Sequence, residues 1–357
     1  MSGANKRKRD KKNGKKYFII ILLLLFVIIF ELFFIKGNFS GVVDKVKDIK
    51  NVILNEEKKL QIFDESSDSR PIAVMINNNS TARKYHMGLQ DAYLVYEIIV
   101  EGGSTRYMAL YKDSDVDKIG SVRSSRHYFL DYVLENDAIY VHWGWSDMAK
   151  NDIDKLKINN INGLYTEGKY FYRENNLNVS LEHTGFTKMA MINKGIDDYG
   201  YRKSLNKDML LNYTVEDVEL EEMVGSIPAN SVDIKYSSVN TTGYKYDQES
   251  KKYLRYVNGD KHCDYVTKEQ YTVKNIITYK VSNHTLSGDV KGRQDIDNIG
   301  KGSGYYISNG YAVPIKWSKE SRTAQTIYTF MDGTEINVND GNTFIQIQPM
   351  NGELNIT

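Results

Sequence analysis

Cysteine and proline are almost missing from this chain, which has one cysteine and four prolines in 357 residues. A lone thiol, Cys263, excludes an intrachain disulfide, so stability has to come from packed cores. So few prolines exclude a proline-rich stalk. Several catalytic signatures are also missing. There is no Gly-x-Ser-x-Gly elbow, no His-Glu-x-x-His, no phosphate-binding P-loop and no Gly-x-Gly-x-x-Gly after a strand. Six scattered histidines with no short-range pair predict no metal site, and nothing in the sequence calls for a cofactor. Cys263 stands between His262 and Asp264, but neighbours in a strand point to opposite faces, so it reads as a free thiol in a turn.

Excess basic charge is missing as well, once the N-terminus is set aside. Lys plus Arg number 47 against 46 Asp plus Glu; without the eight basic residues and Asp10 of the first sixteen, 39 remain against 45. An acidic body argues against a nucleic-acid partner, which needs a basic face.

The N-terminus carries the clearest pattern. A basic tail, residues 1–16, runs into the apolar stretch Tyr17–Ile35, whose one ionisable group is Glu31. Nineteen helical residues span roughly 28 Å, about the thickness of a hydrocarbon core. The one-sided charge predicts a single-pass membrane anchor with a cytoplasmic N-terminus and everything after Ile35 extracytoplasmic. A cleaved signal peptide is the competing reading; the apolar run is long for one, and Phe33-Phe34-Ile35-Lys36 offers no small-residue cleavage site. The membrane, through Tyr17–Ile35, is therefore the first partner the sequence predicts.

Residues 36–69 read as an extracytoplasmic tether. Val42, Val46, Ile49 and Ile53 have helical spacing, and Asp64 to Ser69 read as a polar hinge. The remainder divides by texture. Residues 70–215 mix strand and helix patterns: strands are expected at Pro71–Ile76, Leu94–Val100, Arg106–Tyr111, Ile119–Arg123 and Ala138–His142, and helices over 126–134, near 146–157 and near 186–194. Residues 228–357 are aromatic and β-branched, punctuated by Asn258-Gly259, Asn309-Gly310, Asp332-Gly333 and Asp340-Gly341, each a hairpin signal. The expected fold class is α+β, with a membrane helix, a mixed α/β first domain around a central sheet, and a β-rich second domain packed separately.

Chemistry concentrates in the first domain. If Gly102-Gly103 form a two-residue turn, Arg106 pairs with Ile99, and Glu97, Glu101 and Arg106 share one face. The bland reading of that set is a structural ion cluster; the functional one is a pocket wall with a glutamate base and a guanidinium anion holder. The stretch Arg123-Ser124-Ser125-Arg126-His127 places cations where a strand hands over to a helix, which points to an anion site. Pairing of the arginines with Asp131 or Glu135 is the alternative. His142, before Trp143-Gly144-Trp145, falls at a strand end where aromatic rings could stack on sugars, and His183 could face the same cleft. The catalytic candidates are thus Glu97 and Glu101. The ligand-binding candidates are Arg106, Arg123, Arg126, His127, His142 and His183.

Together these stretches resemble a known family. Arg70-Pro-Ile-Ala-Val-Met-Ile-Asn-Asn78, Asp91-Ala-Tyr-Leu-Val-Tyr-Glu97, Val100-Glu-Gly-Gly-Ser-Thr-Arg106, Lys118-Ile-Gly-Ser-Val-Arg-Ser-Ser-Arg126 and Ala138-Ile-Tyr-Val-His142 are similar to the YerB-like cell-envelope proteins of Gram-positive bacteria. Gly300-Lys-Gly, Trp317-Ser-Lys and Gly341-Asn-Thr-Phe344 extend the likeness over nearly everything after residue 69. The resemblance implies two domains, mixed α/β then β-rich, held outside the membrane, commonly by a lipid anchor, with no established activity. This chain departs from it by lacking the lipid-bearing cysteine and by reading Glu182-His-Thr where relatives tend to have Pro-His-Asn. The expected function is an envelope module that binds an anionic or glycan ligand, from the cell wall or lipid-linked, or a partner envelope protein. The alternative is an enzyme on such substrates, with Glu97 or Glu101 as base and Arg106, Arg123 and Arg126 as a phosphate clamp.

Overall fold

The structure, a computed structural model, describes residues 59–357. The basic tail, the predicted membrane helix Tyr17–Ile35 and the helix expected over 42–53 lie outside these residues. Among the described residues no helix is long and apolar enough to cross a membrane. The fold class is corrected on this ground: no membrane helix is among the elements observed, and the body is sheet-rich with short helices.

In chain order the first half holds β1 Ile72–Asn77, α1 Ser80–Arg83, β2 Leu94–Ile99, β3 Thr105–Tyr111, α2 Phe129–Glu135, β4 Ile139–His142, α3 Asp147–Lys155, β5 Asn160–Asn162, α4 Gly163–Thr166 and α5 Met189–Tyr199. No helix follows Tyr199. The second half contributes β6 Ser231–Lys235, β7 Thr241–Asp247, β8 Lys252–Val257, β9 Asn275–Val281, β10 Gly300–Ser308, β11 Tyr311–Lys319, β12 Thr343–Pro349 and β13 Glu353–Ile356, with shorter strands between. The strand Ile119–Arg123 shrinks to Ile119–Gly120, which pairs with Gly185–Thr187.

The halves do not pack separately. One sheet runs β11–β10–β9–β12–β2–β3–β1–β4–β5, with Ile227–Pro228 and Ile327–Phe330 added on β11. The seam is β12, which lies parallel to β2 on one side and to β9 on the other. Texture along the chain could not show this, because a strand's neighbour in a sheet need not be its neighbour in sequence. A second sheet, built around β13–β6–β7–β8, covers the face of β2 that carries Glu97. The opposite face meets α2: the Tyr96 hydroxyl donates to Glu135, and its ring lies 4.8 Å from that of Tyr132. Helix, sheet and sheet thus form three layers around one contiguous apolar core.

Three of the four glycine signals make hairpins; one of them, Asp332-Gly333, lies in the turn where Phe330 N–H donates to the Thr334 carbonyl at 2.8 Å beside the antiparallel Thr329–Glu335 bridge. Asn258 and Gly259 both take positive φ between β8 and Asp260–Lys261, as do Asn309 and Gly310 between β10 and β11, which is what a two-residue primed turn requires. Asp340-Gly341 does not. The Asp340 carboxylate instead accepts the backbone N–H groups of Gln61 and Ile62, at 2.8 and 3.1 Å. The expected hinge before Arg70 is correspondingly fastened. The Phe63 ring packs edge-on against Tyr93 and Tyr213, and Ser67 and Ser69 carbonyls accept from the Lys112 ammonium.

Candidate functional site

The turn after β2 decides which side chains meet. Pairing runs Ile99↔Thr105 and Ile98↔Arg106, so five residues, not two, make the connection, and Val100 N–H donates to Ser104 C=O at 2.8 Å. A register change of one residue moves every side chain to the other face. Glu97 and Arg106 therefore lie on opposite sides of the sheet, and the expectation that they share a pocket is overturned.

Glu97 is fully buried beneath the second sheet. Its carboxylate accepts from Thr105 at 2.7 Å, Asn78 at 3.2 Å, Thr242 at 3.0 Å and the Arg255 guanidinium at 2.6 Å, and Arg255 is itself completely buried. The sequence reading missed Arg255. No local signal marked it: Leu254 and Tyr256 are as apolar as Tyr253 and Val257, and only the structure shows that burial alternates along Lys252–Val257 with Arg255 in phase with Tyr253 and Val257. From Arg255 the hydrogen bonds run on to His262 Nδ1 at 2.6 Å, from His262 Nε2 to His86 Nδ1 at 2.8 Å, and from His86 Nε2 to the Asn77 carbonyl at 2.5 Å. A guanidinium only donates, so both imidazoles carry their proton on Nε2 and both are neutral. Burial first, then the Arg83 and Arg255 charges, hold His86 down at about 3, while the Asn77 carbonyl pulls the other way.

On the opposite face Glu101 meets two arginines. Arg126 grips it with Nε at 3.0 Å and with one terminal nitrogen, and Arg106 reaches it at 3.2 Å. Arg106 also donates to the Ser124 carbonyl at 2.6 Å, and Arg126 to the Ser125 carbonyl at 2.8 Å. Burial raises the Glu101 carboxyl, but the Arg126 hydrogen bond and the two cations outweigh it and hold it at about 2. Burial, then the neighbouring Arg126 charge, pushes Arg106 down to about 9, and its Nε has no hydrogen-bond partner. Two guanidiniums with side chains 6% and 9% exposed thus share one carboxylate, leaving one positive charge in excess. The helix here, α2, starts only at Phe129 and has seven residues, so the anion-binding argument from a helix start is replaced by this charge count.

Ser124 also lines an adjoining surface cleft of ≈ 480 Å³, with Arg123, Trp145, Leu164, Leu181 and Glu182 among its walls. Arg123 pairs with the exposed Glu182 at 2.5 Å. Trp145 is half-buried and lies 5.8 Å from the exposed Tyr165 ring. Trp143 and Arg173 line the cleft as well, the Trp143 ring being buried and capped by the Arg173 guanidinium at 3.9 Å.

The histidines do not join the cluster. His142 is fully buried, with its ring nitrogens against the Gly144 carbonyl at 2.8 Å and Asn160 at 3.1 Å, and burial pushes it down to about 4. His183 lies against Asn77 at 2.9 Å and Asn79 at 3.5 Å, lowered by burial. His127 faces away and contacts Asp295 at 2.8 Å. Of the residues expected on one surface, Glu101, Arg106 and Arg126 converge and Arg123 borders them; Glu97, His127, His142 and His183 do not. Among the described residues no group of three His, Cys, Asp or Glu side chains could hold a metal ion.

The fold and site define a three-layer, sheet-rich protein with a shared-carboxylate arginine pair beside an aromatic cleft. Residues 60–202 match the family described as "Protein of unknown function (DUF3048) N-terminal domain", and residues 232–345 match the corresponding C-terminal domain. The chain belongs to this two-domain, YerB-like family, as its motifs indicated. It is 29% identical over 316 residues to the protein named "Putative lipoprotein YerB" of Bacillus subtilis (strain 168), covering 86% of this chain and 88% of that one. The crystal structure of YerB from Bacillus subtilis superposes with a TM-score of 0.71 at 27% identity, covering 83% of this chain and 99% of that chain.

Proposed function

We propose that the protein is a membrane-associated, extracytoplasmic binding module whose ligand is an anionic glycan of the cell envelope. Membrane association and an outside location are supported by the lipoprotein name of its relative. The ligand class is supported by one observation above the others: two nearly buried guanidiniums share a single carboxylate. An unneutralised charge away from water costs several kcal/mol unless an anion completes it. The adjoining cleft, lined by Trp145 and Arg123, has the aromatic surface and polar fork that sugar rings and carboxylate or phosphate groups recognise. Binding is favoured over catalysis because Glu97, a candidate base, is enclosed and saturated with donors, and Glu101 is held ionised by its arginines.

Calorimetric titration with inorganic phosphate and with a soluble disaccharide-peptide fragment of cell wall tests this reading. A charge-assisted hydrogen bond contributes about 1.5–3 kcal/mol, so Arg126→Ala should weaken phosphate binding roughly ten- to a hundredfold. Trp145→Ala should weaken only the glycan probe. Absence of binding by either probe, or equal binding by wild type and both variants, would refute the proposal.

A further inference from the structure

The Gly300-Lys301-Gly302 motif plays no part in that site, yet it lies where the main sheet splits. Pairing of β9 with β10 stops at Tyr279↔Gly304, while β10 runs four residues further and stays paired with β11 as far as Gly300↔Lys319. Beyond the split, the chain after β9 leaves as a small hairpin, Asn283–Thr285 against Gln294–Ile296, which reaches His127 through Asp295. Between the diverging strands is an opening of ≈ 790 Å³. Backbone groups alternate sides along an antiparallel strand. Tyr305 and Ile307 turn toward β9, so Lys301, in phase with them, turns its N–H and C=O into the opening. Glycines on either side of Lys301 keep this edge low: a Cβ at Gly302 would stand 2.7 Å from the Trp317 indole nitrogen.

Unpaired strand edges are normally blunted by bulges, proline or a covering element. This one is bordered instead by exposed apolar side chains from three separate segments: Met148 at 40% exposure, Ile299 at 49% and Met350 at 60%. Two charges flank it. Among the described residues Asp297 and Lys301 have no ion partner, whereas Asp131, Asp152 and Asp295 on the same walls are each paired.

We propose that this split is a docking slot for an extended peptide segment of a partner protein. The peptide pairs its backbone with Lys301, lays apolar side chains against the two methionines and Ile299, and presents a basic residue to Asp297 and an acidic one to Lys301. Strand addition supplies affinity through main-chain hydrogen bonds, and the flanking pockets supply selectivity. Flexible methionines suit a surface that accommodates varied side chains. The slot shares no lining residue with the arginine cluster of Glu101, Arg106 and Arg126.

The test pans a random dodecapeptide phage library on residues 59–357, a single compact unit, and measures the enriched sequences as fluorescein-labelled peptides by polarisation. Alternating apolar residues with one acid and one base are expected. Lys301→Pro removes the outward N–H without touching the β11 ladder, since Lys301 and Ser318 face each other without exchanging hydrogen bonds. It should weaken binding at least about tenfold, and so should N-methylation of alternate peptide amides, which blocks pairing in unaltered protein. Asp297→Lys should reverse the preference for a basic residue, and Arg126→Ala should change nothing. Failure to enrich any peptide overturns the proposal, as does binding indifferent to Lys301→Pro. If that variant misfolds by near-ultraviolet circular dichroism, the N-methylated peptides decide alone: unchanged affinity overturns the proposal.

Discussion

At the residue scale, Glu101 behaves as a resident counter-ion. It is shared by Arg126 and Arg106 and stands at the start of a turn whose next two residues are glycines with φ of 69° and 71°. An anionic ligand has to share or displace it. Glu101→Gln should therefore raise phosphate affinity roughly tenfold, about 1.4 kcal/mol, because the competing charge is gone. The same change leaves two guanidiniums facing each other, so it should lower the unfolding free energy by about 1–3 kcal/mol. Phosphate should then raise the melting temperature of the variant more than that of the wild type. Equal phosphate affinity in the two proteins would show that Glu101 is a fixed structural partner and not a competitor.

At the scale of elements, the five-residue connection between β2 and β3 determines the site. Both its glycines lie in the left-handed region, but their surroundings differ. A Cβ at Gly102 meets open space, whereas one at Gly103 would stand 2.8 Å from the Ser237 hydroxyl, which donates to the Gly103 carbonyl at 2.6 Å. Gly102→Ala should cost only the backbone strain, about 1–2 kcal/mol. Gly103→Ala should cost more, by crowding the contact between the turn and the second half. Urea denaturation of the two variants measures this, and equal costs would mean that Ser237 simply moves aside. The three longer helices and strands β1 to β4 were legible in the sequence, with α3 and α5 close to the expected 146–157 and 186–194, whereas the four-residue α1 and α4 were not. The turn was not, because Gly-Gly fits a two-residue loop or part of a longer one equally well. Only the pairing of Ile99 with Thr105 distinguishes them.

For the whole molecule, the buried line Glu97–Arg255–His262–His86 fastens first half to second. Arg255→Met should destabilise by about 3–5 kcal/mol, since it strands Glu97 without a cation, and adding Glu97→Gln should recover much of that loss. An additive double mutant would show that the pair is not coupled. The line, together with the separately buried His142, also makes the fold acid-sensitive. Folding lowers His86 from 6.5 to about 3 and His142 to about 4, so between those values the unfolded chain binds more protons. The stabilisation is complete above pH 6.5 and declines as pH falls, by up to about 1.4 kcal/mol per pH unit for each histidine. Denaturation midpoints measured from pH 7.5 to 4.5 should fall steadily. His86→Phe would remove part of the slope, whereas a flat profile in the wild type would contradict the neutral assignment.

The sequence by itself determined what depends on near neighbours. Short apolar runs placed β1 to β4, Asn-Gly at 258 and 309 made hairpins, and ordered motifs over most of the chain marked the family. These features follow from backbone dihedral preferences and side-chain periodicity, which a few consecutive residues carry. Tertiary structure alone decided what depends on who lies opposite. It chose the register that separates Glu97 from Arg106, and it gave Glu97 a guanidinium 158 residues away. It also set β12 beside β2, so that two textures became one sheet. Burial and pairing of this kind are settled by competition among distant strands for the same edge, and no local pattern records which of them wins.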